Sequence, residues 1–287
     1  MKKSSKVQPV KSPLRYPGGK SRAVKQIMPL VPEFEEFREP MVGGGSVFFA
    51  LKQKYPDKKF WINDINNDLY LFWKNTKDNI AKLEKEIRNV KENSKEGKEL
   101  HRELTKNNKD LNDFEKAVRF FVLNRITFSG LADCGGFSQG AFHNRFTHSS
   151  IDRLKKASEI LDGTKITNQD YEDMVKSSGN KVFIFLDPPY LSKTKSKLYG
   201  KNGDLHEGFD HKRFAETMKN CKEHKWLVTY DDDPNVIKLF QNEEGIYLYR
   251  WQLQYGMNNY KQGNAAKGDE LFISNYPIPK LEDKRIK

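Results

Sequence analysis

The chain of 287 residues has no apolar run long enough to span a membrane, and no apolar leader follows its basic first residues. A soluble, cytosolic protein that is not exported by a cleaved signal is therefore expected. Cysteine is scarce: Cys134 and Cys221 lie far apart, without metal-type spacing, so free thiols in a reducing compartment are the default. No segment repeats. His143 and His148 have no third ligand at suitable spacing, which argues against a metal-dependent nuclease, and no metal is expected. Acidic residues are in deficit, 39 against 51 lysines and arginines, for a formal charge of +12. Such an excess favours a polyanionic partner, with nucleic acid first, although general solubility explains it as simply.

What is present centres on Val182-Phe183-Ile184-Phe185-Leu186-Asp187-Pro188-Pro189-Tyr190. Five apolar residues, mostly β-branched or aromatic, read as a strand buried on both faces. Proline cannot continue a central strand, so it stops at Asp187. A carboxylate, a rigid backbone step and an aromatic ring then stand where open α/β sheets bind ligands. The arrangement suits the activation of a planar amine, whose lone pair is delocalised into its ring. Asp187 and the Pro188 carbonyl can accept the amine hydrogens, and Pro189 has no N–H to compete for that carbonyl. Tyr190 offers a face for the base to stack on. This reading covers adenine N6, cytosine N4 and other planar amines alike.

Earlier in the chain, Gly19-Lys20-Ser21 imitates the end of a phosphate-binding loop. That loop needs a glycine where Leu14 stands, and a strand before it. Tyr16 and Lys20 instead flank a glycine turn, with a helix expected from about 22 to 30. A first strand, 37–41, runs into Gly43-Gly44-Gly45 and a helix at 47–51. Strand, glycine loop, helix is the nucleoside corner of a Rossmann-like sheet, and Gly43 and Gly45 are its candidate contacts. A second strand, 60–64, ends at Asp64, roughly 20 residues past the glycines, where an acid usually holds ribose hydroxyls. After a strand at 165–168, Asp170 and Tyr171 either hold the cofactor's adenine or merely cap a helix.

From 74 to 116 both charges dominate and apolar residues thin out, which predicts exposed helices at about 77–92 and 96–108, outside the sheet. The stretch 124–146 interleaves glycines, aromatics, amides and arginines. It reads as a DNA-touching loop or hairpin, with Asn124, Arg125, Ser129 and Arg145 as candidate contacts. Lys193, Lys195 and Lys197 crowd a basic loop after Tyr190 that can clamp a DNA backbone. Further strands near 226, 246 and 270 bring the total to seven, the last two without a helix between them. The fold class is therefore α/β: a Rossmann-like seven-stranded, mostly parallel sheet ending in an antiparallel hairpin, with an inserted, mainly helical target-recognition domain. The expected boundaries are a basic arm at 1–12, a catalytic domain at 13–74 and 163–287, and the insertion at 75–162.

Taken together, Tyr16-Pro17-Gly18-Gly19-Lys20, Glu39-Pro40-Met41-Val42-Gly43-Gly44-Gly45-Ser46, Asn63-Asp64-Ile65-Asn66 and Asp187-Pro188-Pro189-Tyr190 resemble, in that order, the motifs of the Dam-like N6-adenine DNA methyltransferases. Asn124-Arg125, Phe128-Ser129-Gly130 and the final Glu270-Leu271-Phe272-Ile273-Ser274-Asn275-Tyr276 are similar too. The resemblance covers nearly the whole chain except the charged helices at about 74–112. It implies S-adenosylmethionine as methyl donor, contacted by Tyr16, Lys20, Asp64 and Asp187, and double-stranded DNA as the partner of a monomer or weak dimer. It also places the recognition segment between the glycine and catalytic motifs. Ser129 stands where such enzymes commonly carry asparagine.

Overall fold

The computed structural model describes residues 9–106, 110–132, 134–191, 208–254 and 267–286. Seven strands form one sheet: β1 (Glu36–Glu39), β2 (Lys59–Asn63), β3 (Lys165–Thr167), β4 (Val182–Leu186), β5 (Lys225–Asp231), β6 (Tyr247–Gln254) and β7 (Lys267–Ser274). Their order across the sheet is β3-β2-β1-β4-β5-β7-β6. The first five are parallel to one another, and β7 is antiparallel to both β5 and β6. From β1 the chain steps outward to β2 and β3, then returns to lay β4 on the other side of β1. The crevice beyond the carboxyl ends of β1 and β4 is the switch point at which such sheets take ligands.

β4 coincides with the apolar run, and every one of its residues is buried. Apolar side chains pack on both faces of the sheet. Phe37, Phe60, Phe183 and Phe185 belong to one cluster, while Ile184, Leu186, Trp226 and Val228 belong to the other. Proline breaks the helix expected over 22–30. A 3-10 turn at Lys20–Arg22, the short α1 (Val24–Ile27) and a second 3-10 turn at Met28–Leu30 take its place, because Pro29 cannot donate to a helical ladder.

The remaining helices up to β4 are α2 (Ser46–Lys54), α3 (Asn67–Asp78), α4 (Ile80–Asn93), α5 (Gly97–Lys106), α6 (Asp113–Ile126), α7 (Gln139–Asn144), α8 (His148–Leu161) and α9 (Tyr171–Lys176). Several start on side-chain caps. Asn66 accepts from Leu69 N at 3.1 Å, and Asn112 and Glu115 form a reciprocal capping box. The charged helices α4 and α5 are anchored through Leu83, Ile87 and Leu100, which join the same apolar cluster as β1 and β2. Residue 74 lies inside α3, and α6 runs along it. Phe72 stacks on Phe121 with centroids 5.8 Å apart, and Arg119 pairs with Asp68 at 3.0 Å. The segment 75–162 thus shares its core with one face of the sheet. Among the described residues no helix is long and apolar enough to cross a membrane.

Candidate active site

A cavity of about 320 Å³ opens at the switch point. Its walls come from the Tyr16–Lys20 turn, the glycine loop after β1, the end of β2, Asp170 and Tyr171, the Asp187–Tyr190 stretch after β4, and Phe209, Asp210 and Arg213. The structure therefore brings together every catalytic and cofactor candidate of the sequence: Tyr16, Lys20, Gly43, Gly45, Asp64, Asp170, Tyr171, Asp187, Pro188, Pro189 and Tyr190.

Glycine is needed in the loop for two reasons. Gly43 and Gly45 have φ of +46° and +67°, in the left-handed region that side chains rarely adopt. A Cβ on Gly43 or Gly44 would also lie 2.7 or 2.8 Å from Tyr16, so the backbone passes directly beneath that residue. Asp64 ties the loop to β2: one carboxylate oxygen accepts from Gly43 N at 2.9 Å and the other from Asn66 N at 3.0 Å. Trp73 Nε1 donates to Gly43 O at 3.1 Å from below.

At the end of β4, Lys20 Nζ lies 2.6 and 2.7 Å from the two carboxylate oxygens of Asp187, and Thr229 Oγ1 on β5 donates to Asp187 Oδ1 at 2.8 Å. The lysine is almost buried, at 5% exposure, and also donates to Gly18 O at 3.1 Å. Asp187 is thus held in one orientation from two sides, with its rim still open to the cavity. Lys20 Nζ stands 4.9 Å from the Tyr190 ring centroid, and the Tyr190 hydroxyl donates to Glu270 Oε2 at 2.9 Å.

Glu39, last residue of β1, is fully buried and accepts from Phe48 N at 2.9 Å in the first turn of α2. Burial pushes its carboxyl well above the usual range; Asp187 and Asp64 push the same way, against the Phe48 hydrogen bond. The role of Glu39 was not distinguished in the sequence from that of its glycine motif. Phe209 and Arg213 were missed entirely, because nothing in the sequence links them to residues some 40 positions earlier. Asp170 does cap α9, accepting from Glu172 N at 2.9 Å. It also receives both guanidinium nitrogens of Arg213 at 3.0 Å, while Arg213 packs over the Tyr171 ring at 5.3 Å. Asp170 and Tyr171 therefore form a wall whose acid is already engaged by a cation.

The candidate DNA contacts fare differently. Asn124 is fully buried. Its amide donates to Arg15 O at 2.7 Å and Gly130 O at 2.8 Å, and its carbonyl accepts from Arg15 N at 3.2 Å and Arg125 Nη2 at 2.8 Å. Arg125, 3% exposed, donates to Pro13 O at 2.6 Å. Both are expected from the sequence to touch DNA; in the structure they are buried, bond to backbone and to each other, and clasp residues 13–15 against the end of α6. Ser129 is half-buried at φ +56°, a conformation asparagine tolerates better than serine, and beside it Phe128 is 61% exposed. Arg145 is half-buried near Arg15 and Arg153. These like charges, after burial itself, push the Arg125 guanidinium down. His143 contacts Gln139 and His148 contacts Arg88, on separate helices. Lys193, Lys195 and Lys197 lie outside the described residues.

Comparison with known proteins agrees with this geometry. Residues 16–257 match the family model described as D12 class N6 adenine-specific DNA methyltransferase. The type II methyltransferase M.MjaIII of Methanocaldococcus jannaschii is 29% identical over 273 residues, covering 74% of this chain and 94% of that one. The type II methyltransferase M1.LlaDCHI of Lactococcus lactis subsp. cremoris is 29% identical, covering 91% and 94%. The DNA adenine methylase of Escherichia coli K12 is 29% identical, covering 90% and 92%. With a cavity lined by its four ordered motifs and a family match across most of its length, the chain belongs to the D12 class of N6 adenine-specific DNA methyltransferases.

Proposed function

We propose that this chain transfers the methyl group of S-adenosylmethionine to N6 of adenine in double-stranded DNA, with the target base rotated out of the duplex into the cavity. The observation that carries this reading is the oriented Asp187 carboxylate, held by Lys20 and Thr229 in the lining of the cavity that the glycine loop also borders.

The cavity is of the size that takes a drug-sized ligand. The left-handed glycines and the close pass under Tyr16 make a cradle that any side chain would fill. Asp64, at the rim of that cradle, suits ribose hydroxyls, and Tyr16 offers a ring for packing. When bound, S-adenosylmethionine supplies an electrophilic methyl group on a positively charged sulfur. Asp187 accepts one hydrogen of the adenine amine and the Pro188 carbonyl accepts the other, which turns the nitrogen lone pair out of the ring plane. Tyr190, 7% exposed and with Tyr230 stacked on its ring, backs the wall of the base pocket. The amine nitrogen attacks the methyl carbon directly as the methyl–sulfur bond breaks, the electron pair staying on sulfur as a neutral thioether and the surplus amine proton passing to solvent. No covalent enzyme intermediate is needed, and positioning and exclusion of water supply most of the rate.

The segment 75–162 acts as the target-recognition region. Arg15, Arg145 and Arg153 face backbone phosphates, and Ser129 with Phe128 faces the bases. Lys193, Lys195 and Lys197 add to the phosphate contacts. Asn124 and Arg125 support that surface from beneath.

The test is methyl transfer from labelled S-adenosylmethionine to mixed genomic DNA, with nucleosides identified after digestion. N6-methyladenine is expected. Asp187→Ala is expected to lose activity by roughly a hundredfold or more, with cofactor binding weakened at most moderately. N4-methylcytosine as the product, or DNA left unlabelled, overturns the reading.

A further inference from the structure

We propose that Glu270 is a positioning residue for methyl transfer, acting through the hydroxyl of Tyr190. This inference rests on the function proposed above and extends it to a strand on the far side of β5. The stretch after β4 carries the chemistry, yet β4 ends at Leu186, and proline at 188 and 189 leaves few backbone donors to anchor that stretch. Beside Lys20, anchors come from the antiparallel pair β5 and β7. Thr229 donates to Asp187 at 2.8 Å, Asp231 Oδ1 accepts from Leu191 N at 3.2 Å, and Glu270 Oε2 accepts from the Tyr190 hydroxyl at 2.9 Å. Thr229 and Asp231 are two apart on β5 and so point to the same side, and Glu270 is the cross-strand partner of Asp231. One patch of the β5–β7 ladder therefore fastens three positions of the catalytic stretch.

Glu270 is the costly member of that patch. It has no exposure, and it stands immediately before the apolar run Leu271, Phe272, Ile273, on a buried part of the strand. A buried carboxyl is tolerated there only with polar partners, and the Tyr190 phenol is one. Two further contacts bear on the ring: Tyr230 stacks at 6.1 Å and 26°, and Lys20 stands over it at 4.9 Å. The hydrogen bond to Glu270 pins the far end of the side chain to the sheet. A ring pinned in this way is a fixed part of the wall beside which the target base would sit. It also keeps the Pro188 carbonyl and Asp187 in register with that base.

The experiment measures kcat, KM for DNA and the dissociation constant of S-adenosylmethionine for the full chain and its Glu270→Gln, Glu270→Ala, Tyr190→Phe and Tyr190→Phe/Glu270→Gln variants. Glu270→Gln keeps shape and a neutral acceptor, so it remains informative if the alanine variant does not fold. The expected result is a roughly tenfold fall in kcat for Glu270→Gln and for Tyr190→Phe, a larger fall for Glu270→Ala, and cofactor affinity unchanged in all. The double variant is expected to be no slower than the slower single one, since Tyr190→Phe removes the bond that Glu270→Gln weakens. Wild-type kcat in Tyr190→Phe, or losses that multiply in the double variant, overturns the inference; a purely structural glutamate would also weaken cofactor binding in step with stability. Failure of the wild-type chain to methylate adenine N6 overturns the functional reading itself and is seen before any variant is made.

Discussion

Asn124→Ala separates a buried clasp from a DNA contact. The side chain bonds to Arg15 N, Arg15 O, Gly130 O and Arg125 Nη2, joining the segment before the first glycine turn, the end of α6 and the turn at 128–130. Its removal leaves those groups without their partner in a place with little room for water. One buried unsatisfied group costs about 1–3 kcal/mol, and relaxation around exposed Arg15 softens part of this, so about 3 kcal/mol of stability is expected to go. For 287 residues the unfolding entropy near the midpoint is about 0.6 kcal/mol/K, so the melting temperature drops by about 5 °C. Denaturant and thermal unfolding of the variant, followed with DNA-binding titrations at temperatures where it is folded, provide the assay. A direct base contact would show the opposite pattern: unchanged melting and a loss of about 1–3 kcal/mol in DNA affinity confined to the recognised sequence. That pattern would refute the clasp.

Gly44→Ala, with ordinary φ but a Cβ 2.8 Å from the Tyr16 Cβ, is expected to weaken S-adenosylmethionine binding by roughly tenfold or more by calorimetry, because the loop and Tyr16 must part. Glu39 gives a pH signature. Its carboxyl is raised in the folded chain, so its contribution is fully present below the ordinary carboxylate value of 4.5 and is lost as pH climbs from there toward the folded value. Glu39→Gln keeps the acceptor for Phe48 N, and its stability relative to wild type is expected to rise over that window in denaturation series run at successive pH values; parallel curves would contradict the assignment. Arg145→Ala is expected to weaken DNA binding evenly across sequences and to reduce the salt slope by about one, read from titrations at several salt concentrations.

Legibility followed the range of the forces involved. The run 182–186 spelled its own ends: apolar residues demanded burial on both sides, and the acid and prolines ended the ladder. All seven strands were readable in this way, because each is a short local pattern. Their lateral order was not, and β7 slots between β5 and β6, so that Glu270 lands beside Tyr190. Side-chain type pointed to Asp64 and Asp187 because a spacing or a motif fixed their place at strand ends, and to Lys20 because it follows a glycine turn. It misled at Asn124 and Arg125. An amide and a guanidinium beside a glycine-rich loop look like DNA contacts until the segment at 13–15, more than a hundred residues earlier, docks against them. Arg213 was invisible for the same reason: its partners Asp170 and Glu172 are brought to it only by tertiary packing.

The clasp between Asn124 and Arg15 also governs how this enzyme can be rebuilt. The segment between β2 and β3 looks like a cassette, free to be exchanged for that of a relative with another target while the chemistry stays behind. Gly130 leaves no room for a Cβ, which would stand 2.4 Å from Arg15 O, and Arg125 reaches Pro13. The cassette therefore has a third border near the amino end of the chain. A chimera that carries residues 13–15 along with the graft keeps this joint matched; one cut only at the two obvious borders leaves a foreign loop resting on a native backbone that was shaped for another.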